Sequence, residues 1–254
     1  MSTIYKAVNT LDKSQTVAIK VLREEFFADE SHRKRFKQEA AIIDQLDHPN
    51  IVRVFERGQH KQKLFIVMEL LEGRTLSKKI GEEDKIDFRE VLDIMIQISD
   101  ALTKIHRKQI VHRDLKPDNI MLIEGGGTNN FVKLLDFGLA RMQFQTRITQ
   151  SGTVLGTINY MSPEQIAEGE FSLASDIYSL GVIFYETATG QVPFPGERTT
   201  DIMNKVLNKA PVEPIRLRPD LPLEYNEMTM QMLEKISLSR PTVEEVIEIL
   251  ESMR

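Results

Sequence analysis

The sequence predicts an α+β fold built as two lobes of different texture, and three observations carry that reading. Residues from about Ile4 to Met68 read as strand, strand, helix, strand, strand, with apolar residues alternating along the strands. From about Thr75 onward apolar residues recur instead at helical spacing. Between the two textures, Met68-Glu69-Leu70-Leu71-Glu72-Gly73 runs from an apolar strand into a connector that ends at a glycine. The expected division is a small lobe over 1–68, a hinge over 69–73 and a large lobe over 74–254. The chain of 254 residues is long enough for a sizeable core and is expected to form one domain.

In the small lobe, strand alternation through Thr16-Val17-Ala18-Ile19-Lys20-Val21-Leu22 puts Val17, Ile19 and Val21 on one face and Ala18, Lys20 and Leu22 on the other. In the helix that follows, Phe36, Ile43 and Leu46 form an apolar stripe that Glu39 interrupts. Desolvating an unpaired carboxylate is expensive, so Glu39 needs a cationic partner, and Lys20 is the natural one. The basic cluster Arg33-Lys34-Arg35-Lys37 suits a solvated helix face.

In the large lobe, Val91, Ile94, Met95, Ile98, Leu102 and Ile105 mark an amphipathic helix. Apolar runs at Ile110-Val111 and Ile120–Ile123 flank a charged turn, and Gly125 to Asn130 reads as a hairpin loop between two apolar runs. Asp176 to Thr189 is apolar nearly all round, which predicts a buried helix stopped by Gly190. Thr242-Val243-Glu244-Glu245 has capping-box spacing, with Val246, Ile247 and Leu250 as the inward face of the last helix.

Composition excludes several classes of function. Without cysteine there is no disulfide framework, thiolate metal site or thiol nucleophile. The net charge of -5 gives no general electrostatic reason to expect nucleic-acid binding. Apolar stretches are too short or too interrupted to span a bilayer, and the N-terminus lacks a signal-peptide pattern. A soluble, cytoplasmic chain is the expectation.

The charged turn is the chemically telling part: His112-Arg113-Asp114-Leu115-Lys116-Pro117-Asp118-Asn119, followed after the next apolar strand by Asp136-Phe137-Gly138. Asp114 can accept a hydroxyl proton, a lysine follows two residues on, and an asparagine five residues on. Magnesium takes oxygen ligands, so the Asn119 carbonyl and the Asp136 carboxylate are suitable chemical types. Together these motifs resemble the protein-kinase signature, most closely that of the eukaryotic-like Ser/Thr kinases of bacteria, over essentially the whole chain.

The resemblance implies a bilobal protein-kinase-like fold, with a small, mainly antiparallel β lobe carrying one main helix and a larger, mainly helical lobe. It implies ATP and Mg2+ as cofactors, with Mn2+ as an alternative metal. By the same resemblance Lys20, paired with Glu39, holds the α and β phosphates. Ile4, Ala18 and Met121 sandwich the adenine, the backbone of Glu69 and Leu71 meets its edge, and Met68 stands behind the ring; each apolar residue would serve equally well as ordinary core. Asp114 is then the base or orienting acceptor and Lys116 a cation near the transferred phosphate, while Asn119 and Asp136 hold metal. His112 and Phe137 match packing residues, Asp176 a brace of the catalytic loop, and Glu164 of Ser162-Pro163-Glu164 the partner of Arg240. Arg113 matches a residue that pairs with a phosphorylated activation segment. The acceptor candidates there are Thr149, Ser151 and Thr153, which would also suit plain solvated hydroxyls.

Lys116 in its Asp-Leu-Lys-Pro-Asp-Asn setting, Thr157 after Gly156, and the segment ending Pro163-Glu164-Gln165 favour Ser/Thr over Tyr as acceptor. The implied partners are protein substrates bearing Ser or Thr, and a second copy for autophosphorylation. One departure stands out. The family pattern opens with a strand and a Gly-x-Gly-x-x-Gly-x-Val loop; Ile4 matches its Val, Ser2 falls at the third glycine, and the first two glycines precede Met1. The expectation is that this strand and loop are truncated, most simply by a boundary set too late. A chain lacking them would bind nucleotide weakly, and a pseudokinase-like interaction module is the competing reading.

Overall fold

The structure, a computed structural model, describes residues 2–10, 12–14, 16–123, 130–136 and 155–254, with Leu155 described by its backbone alone. The small lobe holds strands β1 (Ser2–Val8) and β2 (Thr16–Leu22), helices α1 (Glu24–Phe27) and α2 (Glu30–Ile43), and strands β3 (Val54–His60) and β4 (Lys63–Glu69). The four strands form an antiparallel sheet in the order β1-β2-β4-β3. In β2 the face carrying Ala18, Lys20 and Leu22 is buried, while Ile19 and Val21 are half-buried. Asp29 caps α2 by accepting from the Ser31 amide at 2.7 Å, and Phe36, Glu39, Ala40 and Ile43 turn inward. The stripe expected from sequence therefore faces the sheet, charge included.

The connector runs into the large lobe through a short strand that opens on its last residue, Gly73. β5 (Gly73–Thr75) pairs with β6 (Ile120–Ile123), which pairs with β7 (Phe131–Leu134) in a second antiparallel sheet. Gly73 is required here because a Cβ would lie 2.1 Å from the Leu122 carbonyl oxygen. Helices α3 (Leu76–Glu82) and α4 (Phe88–His106) follow β5. Beyond the second sheet come α5 (Leu155–Ile158), α6 (Pro163–Ala167), α7 (Leu173–Thr189), α8 (Thr199–Asn208), α9 (Pro214–Leu217), α10 (Leu223–Met232) and α11 (Val243–Ser252).

All six apolar positions expected on α4 are wholly buried, and α4 packs against α7, α11 and β7. α7 starts three residues before Asp176 because Ser172 and Ser175 cap each other reciprocally. With a serine in place of Glu or Gln at the third position, that start lacks the usual capping-box pattern. Gly190 ends α7 with φ 73°, the left-handed conformation a helix stop needs. On α11 the buried face is Val243, Val246 and Leu250, whereas Ile247, expected inward, is half-buried. Thr242 and Glu245 form the expected capping box.

Arg240 ties the far end of the large lobe together. Its guanidinium is fully buried and grips Glu164 with two hydrogen bonds, 2.7 and 2.8 Å, and also donates to the carbonyls of Ala174, Glu234 and Lys235. Burial alone would raise the Glu164 carboxyl, but the hydrogen bonds and charge of Arg240, with a backbone hydrogen bond and that of Ser175, together outweigh it and hold it at about 2 against an ordinary 4.5. A depressed folded value means that this stability is present above about pH 4.5 and is lost as pH falls toward 2. Discounted for partial exposure, the contribution is roughly 2 kcal/mol. Urea unfolding of the wild type and Glu164→Gln should therefore differ at pH 6 and converge as pH falls below 4. A difference that stays constant across that range would refute the linkage.

Candidate active site

Lys20 lies at the centre of a charge cluster between the lobes. Its Nζ is 2.7 Å from Glu39 Oε1 and 2.7 Å from Asp136 Oδ1, so one ammonium bridges α2 and the chain just beyond β7. Lys20 and Glu39 are buried, while the Asp136 side chain is 41% exposed toward the cleft. Burial works against the Lys20 charge, but Glu39 and Asp136 outweigh it and raise its pKa. Burial also raises the Glu39 carboxyl, opposed by Lys20 and reinforced by Asp136. The carboxylate that broke the apolar stripe of α2 thus shares the cation it is bonded to with a second carboxylate.

Below this cluster, the loop from Ile110 to Lys116 and the 3-10 turn Pro117–Asn119 hold the second group of charges. The Asn119 amide donates to the Asp114 main-chain carbonyl at 2.8 Å and to Asp114 Oδ2 at 2.9 Å. Lys116 Nζ stands 3.4 Å from the same carboxylate oxygen. The loop is braced from beneath by Asp176 on α7, which is 1% exposed. Asp176 accepts from the amides of His112 (2.7 Å) and Arg113 (3.0 Å) and from His106 Nε2 at 3.0 Å. Arg113 adopts φ 72°, unusual for a side chain of its size, and the Asp176 contact holds it there. His112 is wholly buried, with Nε2 3.2 Å from the Leu135 carbonyl; burial pushes its pKa below the ordinary value, which suits packing rather than proton transfer.

Three of the residues expected around a purine, Ile4, Ala18 and Met68, share one face of the small-lobe sheet. Ile4 is paired directly with Lys20, and Ala18 with Met68, and directly opposed residues project to the same side. Ala18 and Met68 are buried; Ile4 is 60% exposed, at the outer lip. Met121 comes from the other lobe, on β6, and is half-buried. At the connector, the Glu69 amide already donates to the Arg53 carbonyl at 3.0 Å, so Glu69 could offer a purine only its carbonyl. The Leu71 amide has no hydrogen-bond partner among the described residues.

Two contacts were not anticipated. Tyr160 donates to Glu186 Oε2 at 2.6 Å, and burial raises the Glu186 carboxyl; the signal available was a glutamate within the largely apolar second half of α7. Lys133 on β7 meets Glu69 Oε1 at 2.6 Å, an interaction between distant segments that no local pattern announces. Phe137, Gly138 and the phosphorylation candidates Thr149, Ser151 and Thr153 lie outside the described residues, as does the loop from Gly125 to Asn129.

The donor set can be tested against a divalent cation. Among the described residues no group of three or more His, Cys, Asp or Glu side chains could hold a metal unaided. Magnesium, however, commonly uses one or two protein oxygens and completes its shell with phosphate and water. Asn119 turns its NH2 to Asp114, which leaves its carbonyl oxygen as a ligand, and Asp136 uses only Oδ1 on Lys20. Two ammoniums, Lys20 and Lys116, face three carboxylates, Glu39, Asp114 and Asp136. The residues present fit a cation delivered with a phosphate chain.

Comparisons with known proteins agree with this geometry. A family model describing the protein kinase domain matches residues 1–249. A probable serine/threonine-protein kinase of Clostridium acetobutylicum is 38% identical over 91% of this chain and 35% of its own length. The serine/threonine-protein kinase PrkC of Bacillus subtilis is 36% identical over 98% of this chain and 38% of its own. The probable serine/threonine-protein kinase PknB of Lactococcus lactis is 36% identical over 97% and 39% respectively. The chain therefore spans between a third and two fifths of these relatives. With nearly its full length matched and the bilobal architecture in place, the chain belongs to the protein kinase domain family.

Proposed function

We propose that this chain is an ATP- and Mg2+-dependent protein serine/threonine kinase. The observation that carries the reading is the Asn119 amide fixed on Asp114 while Lys20 spans Glu39 and Asp136. Asp114 accepts the proton of a substrate Ser or Thr hydroxyl as its oxygen bonds to the γ-phosphorus; the bond to the β-phosphate oxygen breaks and ADP leaves. Lys20, held by Glu39, binds the α and β phosphates. Lys116 faces the transferred group. Asn119 and Asp136 would hold magnesium, which would supply charge neutralisation for the phosphates. Ile4, Ala18 and Met121 contact the purine, with Met68 behind it and the Glu69 carbonyl and Leu71 amide at its edge. Most of the catalytic effect lies in positioning and fixed charge.

The proposed division is a small lobe over 1–68, a connector over 69–73 and a large lobe over 74–254. Strand ends fall at both limits of that connector, with β4 closing at Glu69 and β5 opening at Gly73. Thr149, Ser151 and Thr153 are the proposed sites of autophosphorylation between two copies, with Arg113 as the phosphate's partner. The relatives named as serine/threonine kinases support that acceptor class. No observation among the described residues favours the interaction-module reading. No described helix is long and apolar enough to cross a membrane.

Labelled ATP with a generic basic protein tests the proposal. Transfer is expected with Mg2+, none with EDTA, and a loss of at least about a hundred-fold in Asp136→Asn. Mass spectrometry of the same reaction should find phosphate between Arg147 and Leu155. Tight nucleotide binding with no transfer to any protein would overturn the assignment.

A further inference from the structure

The connector is fastened from behind by a set of contacts that the proposed chemistry does not use. Residues 50–53 belong by sequence to the small lobe, but they are hydrogen-bonded to β7 of the large lobe. The Leu134 amide donates to the Asn50 carbonyl at 2.8 Å, the Val52 amide donates to the Leu134 carbonyl at 3.0 Å, and Ile51 and Leu134 form an isolated parallel bridge. Asn50 Nδ2 adds a bond to the Val132 carbonyl at 2.8 Å. The same segment also holds the end of β4. The Arg53 amide donates to Glu69 Oε1 at 2.7 Å, and the Glu69 amide donates back to the Arg53 carbonyl.

Lys133 joins all three pieces. Its Nζ reaches Glu69 Oε1 at 2.6 Å and the Ile51 carbonyl at 3.3 Å, and its side chain is only 11% exposed. Lys133 is also the direct cross-strand partner of Met121, so the two side chains project from the same face of the second sheet. That face is the proposed floor under the purine. The proposed edge contact is the backbone of Glu69 and Leu71. One ammonium, rooted beside Met121 and bonded to the carboxylate of Glu69, therefore links floor and edge directly, alongside the indirect route through residues 50–53.

We propose that Lys133 is a positioning residue for nucleotide binding, holding the connector backbone at a fixed height above β6 and β7 through Glu69 and the Ile51 carbonyl. This rests on the reading of the cleft as an ATP site. Lys133 touches neither the proposed phosphate site nor the metal ligands, so its loss acts on the purine end. A charged hydrogen bond contributes more than a neutral one when poorly solvated, and removing Lys133 leaves the half-buried Glu69 carboxylate, among the described residues, with the Arg53 amide alone.

The test compares the wild type, Lys133→Met and Lys133→Arg by ADP titration in Mg2+ and by steady-state transfer. For Lys133→Met, KM for ATP and Kd for ADP are expected to rise about ten-fold with little change in kcat, because the loss falls on ground-state binding. Lys133→Arg, which keeps a charged donor of similar reach, should recover most of that affinity. A merely structural role would lower thermal stability in Lys133→Met without a selective rise in KM. Unchanged nucleotide affinity in Lys133→Met, an equal fall in kcat and kcat/KM, or a gain in kcat would each overturn the proposal. Failure of the wild type itself to bind ADP would instead strike the ATP-site reading.

Discussion

Asp114→Asn is expected to lower kcat for phosphoryl transfer by roughly 10²- to 10⁴-fold while leaving nucleotide affinity essentially unchanged. An asparagine at this position still offers an oxygen to the Asn119 amide, and the second Asn119 bond goes to the main-chain carbonyl, which the substitution does not touch. The geometry of the loop is thus retained. What disappears is a group able to accept the hydroxyl proton, together with the negative charge that faces Lys116. Steady-state kinetics beside ADP titration separate the two effects. A kcat within ten-fold of the wild type would remove Asp114 from the reaction.

Asp176→Ala carries the second large effect, and it reaches stability and activity together. The carboxylate is buried and accepts from two backbone amides and from His106. Deleting it strands the His112 and Arg113 amides in a place water does not reach, at about 1–3 kcal/mol for each unsatisfied group. The expected loss is roughly 3–5 kcal/mol in urea unfolding, a large share of what a domain of this size has. The left-handed Arg113 would lose its restraint, and transfer should fall even at temperatures where the variant remains folded. A destabilisation below about 1 kcal/mol, with activity retained, would show that the loop is braced by something else.

Much of this site could be read in the sequence because its groups violate local expectation. Glu39 interrupts an apolar stripe, so the need for a buried cation is visible before any coordinates, and Lys20 is the partner found. Thr242 with Glu245, and Gly190 after an apolar helix, are local signals that fold as read. The less legible parts depend on contacts between distant segments. Gly73 looks like a flexible end of a connector, yet it is a strand residue because the Leu122 carbonyl approaches too closely for any side chain. Lys133 looks like a solvated strand lysine until residues 50–53 and the end of β4 are brought beside it. The contact of Asp136 with Lys20, beside its proposed role toward a metal, likewise spans 116 residues of chain.

The orientation of Asn119 also explains an asymmetry in the proposed ligand pair. A hard cation would favour a carboxylate over an amide oxygen, so aspartate at 119 would be the stronger ligand taken alone. It would be the wrong residue for the loop. Asn119 spends its two hydrogens on Asp114, and an aspartate there would set a bare carboxylate against both the Asp114 side chain and its carbonyl, acceptor facing acceptor. One ligand is an amide because it must donate on one side while it accepts on the other. In the proposed site, metal affinity at this position would be limited by the neighbour that Asn119 has to keep in place.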